Sequence, residues 1–263
     1  MEFRERFERL DPSVWTDSYL PAWSSRDAAA ASYSVGAHGL VLSIPYGQQL
    51  WCPDEHPTPL RVSGIHSANR SGPVGSHEAQ QPFREGLVVR EEQPTLMGFV
   101  PHFGTIAVTC TARLTPRSMF SAWMVGLEDR PERCGEICLM EVFGITVADG
   151  TAAVGQGIHN FRDPALREDF AAEQQVIDVG QPHTHQADWR AGSVIFSIDG
   201  ATTRVCDQAP DYPMMLVLGL FDFPDQAGGA AVPEFQVTDV SGTDLGGGSY
   251  FAANRLAASG EAR

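Results

Sequence analysis

The 263-residue chain lacks any apolar run of the about 18 residues that a membrane-spanning helix needs, which argues against an anchor of that kind. Its first ten residues alternate in charge and hold no apolar signal-peptide core. The chain as it stands is therefore expected to be cytoplasmic, or secreted if a leader has been removed or export is unconventional. Basic residues are scarce: 18 Lys and Arg face 33 Asp and Glu, a net charge of -15. Such a surface disfavours nucleic acid and anionic membrane as partners. The five cysteines, Cys52, Cys110, Cys134, Cys138 and Cys206, are an odd set without a paired framework and read as free thiols. Cys134 and Cys138 have no second Cys/His pair at zinc-finger spacing, and His183 and His185 have no evident acidic third ligand, so no metal site is assigned. Helical periodicity is also scarce, and no internal repeat is visible.

What remains is a chain with enough apolar residues for a sizeable core, 43% of the total, cut into short strand-like runs. Runs over 33–37, 39–44, 86–91, 105–114, 120–127, 136–143, 153–160, 174–179, 183–189, 193–199, 214–221 and 234–240 are predicted as strands. Turn clusters such as Asp149-Gly150 and Asp199-Gly200 separate them. Two helices are expected, over 2–10 and over 163–170, the second with Asp163 as N-cap and Pro164 in its first turn. Many short strands and few helices predict one all-β sandwich or jelly-roll domain over 1–263. Residues 1–14 would be an N-terminal extension and 247–263 a frayed tail. The Pro-, Ser-, Gly- and His-rich segment 53–81 reads as long loops crowning a binding face. Asn69 and Arg70 within it are candidates to line a subsite.

The most informative stretch is Gly135-Glu136-Ile137-Cys138-Leu139-Met140-Glu141-Val142-Phe143-Gly144. Two carboxylates five positions apart in a buried, strand-like run are costly to desolvate, which asks for a functional reason. Regular alternation would put Glu136 and Glu141 on opposite faces. They share a face only if a residue between them is bulged out, and bulges are common next to active sites. Their backbones would then lie roughly 13 Å apart, and long side chains leaning together would bring the carboxyls to about 5–5.5 Å, the spacing of retaining glycoside hydrolysis.

This segment resembles the Glu-x-Asp-x-x-Glu active-site motif of glycoside hydrolase family 16. Cys138 stands where that family usually has an aspartate, and a thiol is a weak donor that is neutral at pH 7. The resemblance extends to other runs in the same order over roughly 85–240. Ser118-Met119-Phe120-Ser121-Ala122-Trp123-Met124 is similar to the family's aromatic strand before the motif, with Trp123 at its last Trp and Met119 in place of its first. Gln156-Gly157-Ile158-His159 is similar to the strand after the motif. His183-Thr184-His185-Gln186-Ala187-Asp188-Trp189 and Tyr212-Pro213-Met214-Met215-Leu216 match two further strands.

The resemblance implies a concanavalin A-like jelly roll with a concave substrate cleft. It implies a retaining endo-glycoside hydrolase acting on a β-glucan, with a β-1,3-linked, laminarin-like glucan as leading substrate. Glu136 would be the nucleophile and stay ionised, Glu141 the acid/base with a raised pKa, and Cys138 the modulating residue between them. Trp123 would stack on sugar, and His159 would orient a carboxylate. A lectin-like glucan-binding protein on the same fold, and a transglycosylase, are the alternatives. The partner is an oligosaccharide or polysaccharide and the chain is expected to be a monomer. No cofactor is required. Some relatives hold a structural calcium away from the cleft, for which the sequence identifies no ligands.

Overall fold

The structure, a computed structural model, describes residues 1–246. The 247–263 tail lies outside the described residues. Sixteen strands follow in order: β1 (Glu2–Glu5), β2 (Ser32–Gly36), β3 (Gly39–Ser43), β4 (Arg61–His66), β5 (Ala68–Asn69), β6 (Leu96–Met97), β7 (Gly104–Arg113), β8 (Ser118–Gly126), β9 (Glu136–Phe143), β10 (Thr151–His159), β11 (Asp169–Val176), β12 (His183–Arg190), β13 (Ser193–Ile198), β14 (Ala201–Cys206), β15 (Met214–Asp222) and β16 (Glu234–Thr243). Two single 3-10 turns, Pro21–Trp23 and Gly144–Thr146, are the helical elements among the described residues.

The strands build a jelly-roll sandwich. An eight-stranded sheet runs β14-β13-β12-β7-β16-β3-β2, with β1 also on β16, and faces a six-stranded sheet running β11-β10-β9-β8-β15-β4. All pairings are antiparallel. Between the sheets, Ile106, Val108 and Phe235 from one side meet Phe120, Met124, Leu216 and Leu218 from the other. Phe120 stacks on Phe235 across the gap at 4.9 Å between ring centroids. Each such side chain, fully buried, contributes about 1.5–3 kcal/mol.

The six-stranded sheet is buried on its outer face too, over β8 and β15. There Trp123, Val125, Met215, Val217 and Phe221 pack under loops carrying Leu20, Trp23, Trp51 and Val89. This second cluster covers β8, β15 and β4, and Glu136, Cys138 and Glu141 on β9 open into a cavity at its margin.

Several elements differ from expectation. Residues 2–10 form no helix: β1 pairs with Val240–Thr243 of β16, and fully buried Phe7 turns the chain at φ 57°. Residues 163–170 are turns leading into β11, and Asp163 accepts the N–H of Ala165 at 2.8 Å without starting a helix. Residues 86–91 are loop. Conversely, β4 lies inside the segment read as loop. Its polar residues are buried with their bonds satisfied: Ser63 donates to the Ser43 carbonyl at 2.6 Å, and His66 accepts the Leu20 N–H at 3.3 Å.

Candidate active site

The carboxylate pair is put on one face by a bulge in β9. Against β8, Cys138 pairs with Trp123 and Met140 with Ala122, so Leu139 has no partner of its own. Against β10, Glu141 pairs with Gly155 and Cys138 with Gly157. The consecutive Leu139 and Met140 both point into the core, which flips Glu141 onto the outer face beside Cys138 and Glu136. The bulge has tailored surroundings. Gln156 donates to the Leu139 carbonyl at 3.0 Å, and the Ser121 hydroxyl to the Met140 carbonyl at 2.9 Å. Gly157 has φ 141°, and a Cβ there would lie 2.1 Å from the Asp169 carbonyl oxygen. A Cβ on Gly155 would strike the Phe170 ring at 2.5 Å, beside the Cβ of Glu141.

Glu136, Cys138, Glu141, Trp123, His159, Met119, Ser121 and Phe221 line one open cavity of about 130 Å³. Met119, the residue in place of an aromatic, is part of its wall. The Trp123 ring leans on Phe221 at 6.2 Å and on Tyr19 at 6.4 Å, and its indole N–H has no hydrogen-bond partner. His159 sits opposite Glu136 in the β10–β9 register. It bonds Glu168 through Nδ1 at 2.7 Å and leans on Phe170 at 4.3 Å. A second cavity shares Glu136 and is walled by Gln81, Pro82, Phe83, Glu128, Cys134, Phe161 and Arg162.

Burial drives the electrostatics. Glu136 is pushed up to about 8 by desolvation, with the charges of Glu141, Glu128 and Glu168 adding to the rise and a hydrogen bond from Gln81 opposing it. Glu141 is raised by burial, with His159 opposing. The sequence reading expected Glu136 to stay ionised and Glu141 alone to rise. The structure raises both, because each is desolvated by burial, and the charge of Glu141 adds to the rise at Glu136. Cys138 is buried, with its thiol toward the Gly155 carbonyl at 3.7 Å, and burial followed by the charges of Glu141 and Glu136 drives its pKa well above the ordinary value. It is therefore a neutral thiol.

Glu136, Glu141, Cys138, Trp123 and His159 are thus brought together, whereas Asn69 and Arg70 do not line either cavity. Asn69 is buried and contacts Gln93 at 3.4 Å. Arg70 donates to the Glu128 carbonyl at 3.1 Å and so braces the loop behind the second cavity. Sequence reasoning missed Gln81, Glu128 and Arg162, which come from loops distant in sequence. The one signal for Gln81 was its place at the end of the loop-rich segment.

No family model matches the chain, and no curated protein matches it in sequence. Solved structures match it in fold. A GlcNAcα1-4Gal-releasing endo-β-galactosidase from Clostridium perfringens superposes with TM-score 0.78 at 22% identity, covering 94% of this chain and 63% of that one. This chain therefore spans less than two thirds of that protein's length. A laminarinase from Flavobacterium gives TM-score 0.61 at 14% identity over 92% of this chain and 99% of that one. A Bacteroides ovatus glycoside hydrolase family 16 protein for mixed linkage glucan, in complex with product, gives 0.59 at 17% over 92% and 99%. At these identities the likeness shows the fold alone, a jelly-roll β-sandwich.

Proposed function

We propose that this protein is a retaining endo-glycoside hydrolase. The observation that carries the reading is the shared face of Glu136 and Glu141, obtained through a bulge, in a cavity walled by Trp123. In the first step Glu136, in the form where it is ionised and Glu141 holds the proton, attacks the anomeric carbon, the glycosidic C–O bond breaks, and Glu141 passes its proton to the leaving oxygen. In the second step Glu141 takes a proton from water, whose oxygen attacks the same carbon and frees Glu136. His159 opposes the rise of the Glu141 pKa, which suits a group that gives and takes the same proton. The indole of Trp123 gives the cavity an apolar wall suited to a sugar's apolar face.

For the substrate, a β-1,3-linked glucan is the expectation from sequence, and the laminarinase-type neighbours support it. A β-galactoside-containing glycan is the second reading. It is favoured by the fit to the endo-β-galactosidase, with TM-score 0.78 against 0.61 for the Flavobacterium laminarinase.

Laminarin, mixed-linkage glucan and a glycan ending in GlcNAcα1-4Galβ, each incubated with the protein while product anomers are followed by NMR, test both levels. Release of the β-anomer first from any of them supports retention, and α-anomer first overturns it. Glu136→Gln is expected to abolish turnover. Calorimetric binding without turnover on every glycan would instead assign a lectin, and longer oligosaccharides accumulating from short ones would assign a transglycosylase.

A further inference from the structure

We infer that Gln81 is a positioning residue of this site: its side-chain amide clamps the carboxylate of Glu136 and keeps it available as nucleophile. The inference rests on the hydrolase reading above and deepens it. Gln81 Nε2 donates to Glu136 Oε1 at 2.5 Å, across 55 residues of sequence. Its own backbone N–H donates to Glu128 Oε1 at 2.6 Å, and the other oxygen of Glu128 takes Arg162 Nη2 at 2.5 Å. Gln81 is thus gripped at the backbone by one carboxylate while its side chain grips another.

Two further observations mark this as a built arrangement. Gln81, Glu128 and Phe161 all hold left-handed backbone, at φ 49°, 50° and 44°, and all three line the cavity that adjoins Glu136. Such conformations cost of order 1–3 kcal/mol each in non-glycine residues and collect at functional sites. The amide oxygen of Gln81 is buried without a partner, a sacrifice of about 1–3 kcal/mol made while the N–H faces Glu136. An amide held this way serves the carboxylate it touches.

The charges around Glu136 show why a clamp matters. Glu141 and Cys138 face it from its own strand, Glu128 from the loop after β8, His159 from β10, Glu168 from the turn before β11, Arg162 from the loop after β10 and Tyr19 from the covering loop. Glu141, Glu128 and Glu168 all disfavour ionisation of Glu136, and the Gln81 bond is the contribution that favours it. The amide also fixes which oxygen remains free to attack, since Oε1 is occupied and Oε2 is not bonded by Gln81.

The test uses Gln81→Asn, which tolerates a left-handed backbone and leaves the bond to Glu128 in place but falls a methylene short of Glu136. Gln81→Glu is the second variant, keeping the length and replacing the donor by an acceptor. The carboxyl carbons of glutamate-labelled protein are titrated by NMR, with the Glu136 signal identified by its loss in Glu136→Gln. The Glu136 midpoint is expected to rise by about one pH unit in Gln81→Asn and further in Gln81→Glu. The acidic limb of kcat/KM should move with it, and kcat should fall about tenfold with KM changed less. An unchanged Glu136 midpoint in both variants overturns the inference, whatever the activity. Turnover persisting in Glu136→Gln overturns the assignment of Glu136 as nucleophile and the inference with it, and that is read on a different variant.

Discussion

The side-chain amide of Gln156 donates to the main-chain carbonyl of Leu139 at 3.0 Å, from the strand opposite the bulge. A bulge strips one residue of its ladder partners, and a buried carbonyl left unpaired costs about 1–3 kcal/mol. Gln156 removes that cost and is itself held, its oxygen accepting the Thr203 hydroxyl at 2.6 Å. Replacing it by methionine, of similar shape but no polar groups, is expected to lower stability by about 1–3 kcal/mol in urea unfolding. Turnover should fall with it, because Glu141 loses its place beside Glu136 when the bulge slips. A Gln156→Met protein as stable and active as the parent would show that strand pairing alone holds the bulge.

The bulge was the part of the site that could be read from residues, because five-residue spacing on a strand admits a shared face in one way only. Trp123 and His159 could be read through the resemblance of their strands, and those strands flank β9, in register with Cys138 and Glu136. Gln81 and Glu128 could not, since their meeting with Glu136 and Arg162 depends on loop paths that no periodicity encodes. β4 was hidden for a different reason. Its Ser63 and His66 look like loop residues until the partners that satisfy them are known. The helix expected over 2–10 failed because long-range pairing with β16 and burial of Phe7 outweigh a weak local preference.

Glu141→Ala separates the two carboxylates by role. As acid/base, Glu141 is needed to protonate a poor leaving group but not a good one. The variant should lose activity on polysaccharide and retain the glycosylation step on an activated aryl glycoside. Added azide should then restore turnover and give a β-glycosyl azide, since the ion replaces a water that no longer has a base. An α-glycosyl azide from this variant would exchange the two roles.

Cys138 lies between the pair as a buried neutral thiol, so its chemistry is that of shape and weak polarity. Cys138→Ser is expected to keep the pH profile, and the native protein should resist thiol reagents at this position. Cys138→Asp adds a third negative charge beside Glu136 and Glu141, which disfavours their ionisation and moves both limbs of the kcat/KM profile to higher pH. A shift to lower pH in Cys138→Asp would show that the new carboxyl is protonated and donates to its neighbours.

Stability should carry the signature of the raised Glu136. Its folded value of about 8 lies above its ordinary 4.5, so between those values the native state binds more protons than the unfolded one. This contribution is whole below pH 4.5 and is lost as pH rises through about 8. Buried His66 and His185 act in the opposite sense: desolvation lowers them from 6.5 to about 4, so their share of stability grows as pH rises across that window and is constant above it. The alkaline side therefore isolates the carboxylate. Urea unfolding between pH 6.5 and 8 should show stability falling with a slope of up to about 1.4 kcal/mol per pH unit in the parent protein. Glu136→Gln removes the titrating group and should flatten most of that fall, leaving a remainder from the raised Glu141 and Glu128. An equal slope in the two proteins would mean that Glu136 is ionised throughout this range, and that the fall belongs to the other raised carboxyls, Glu141 and Glu128.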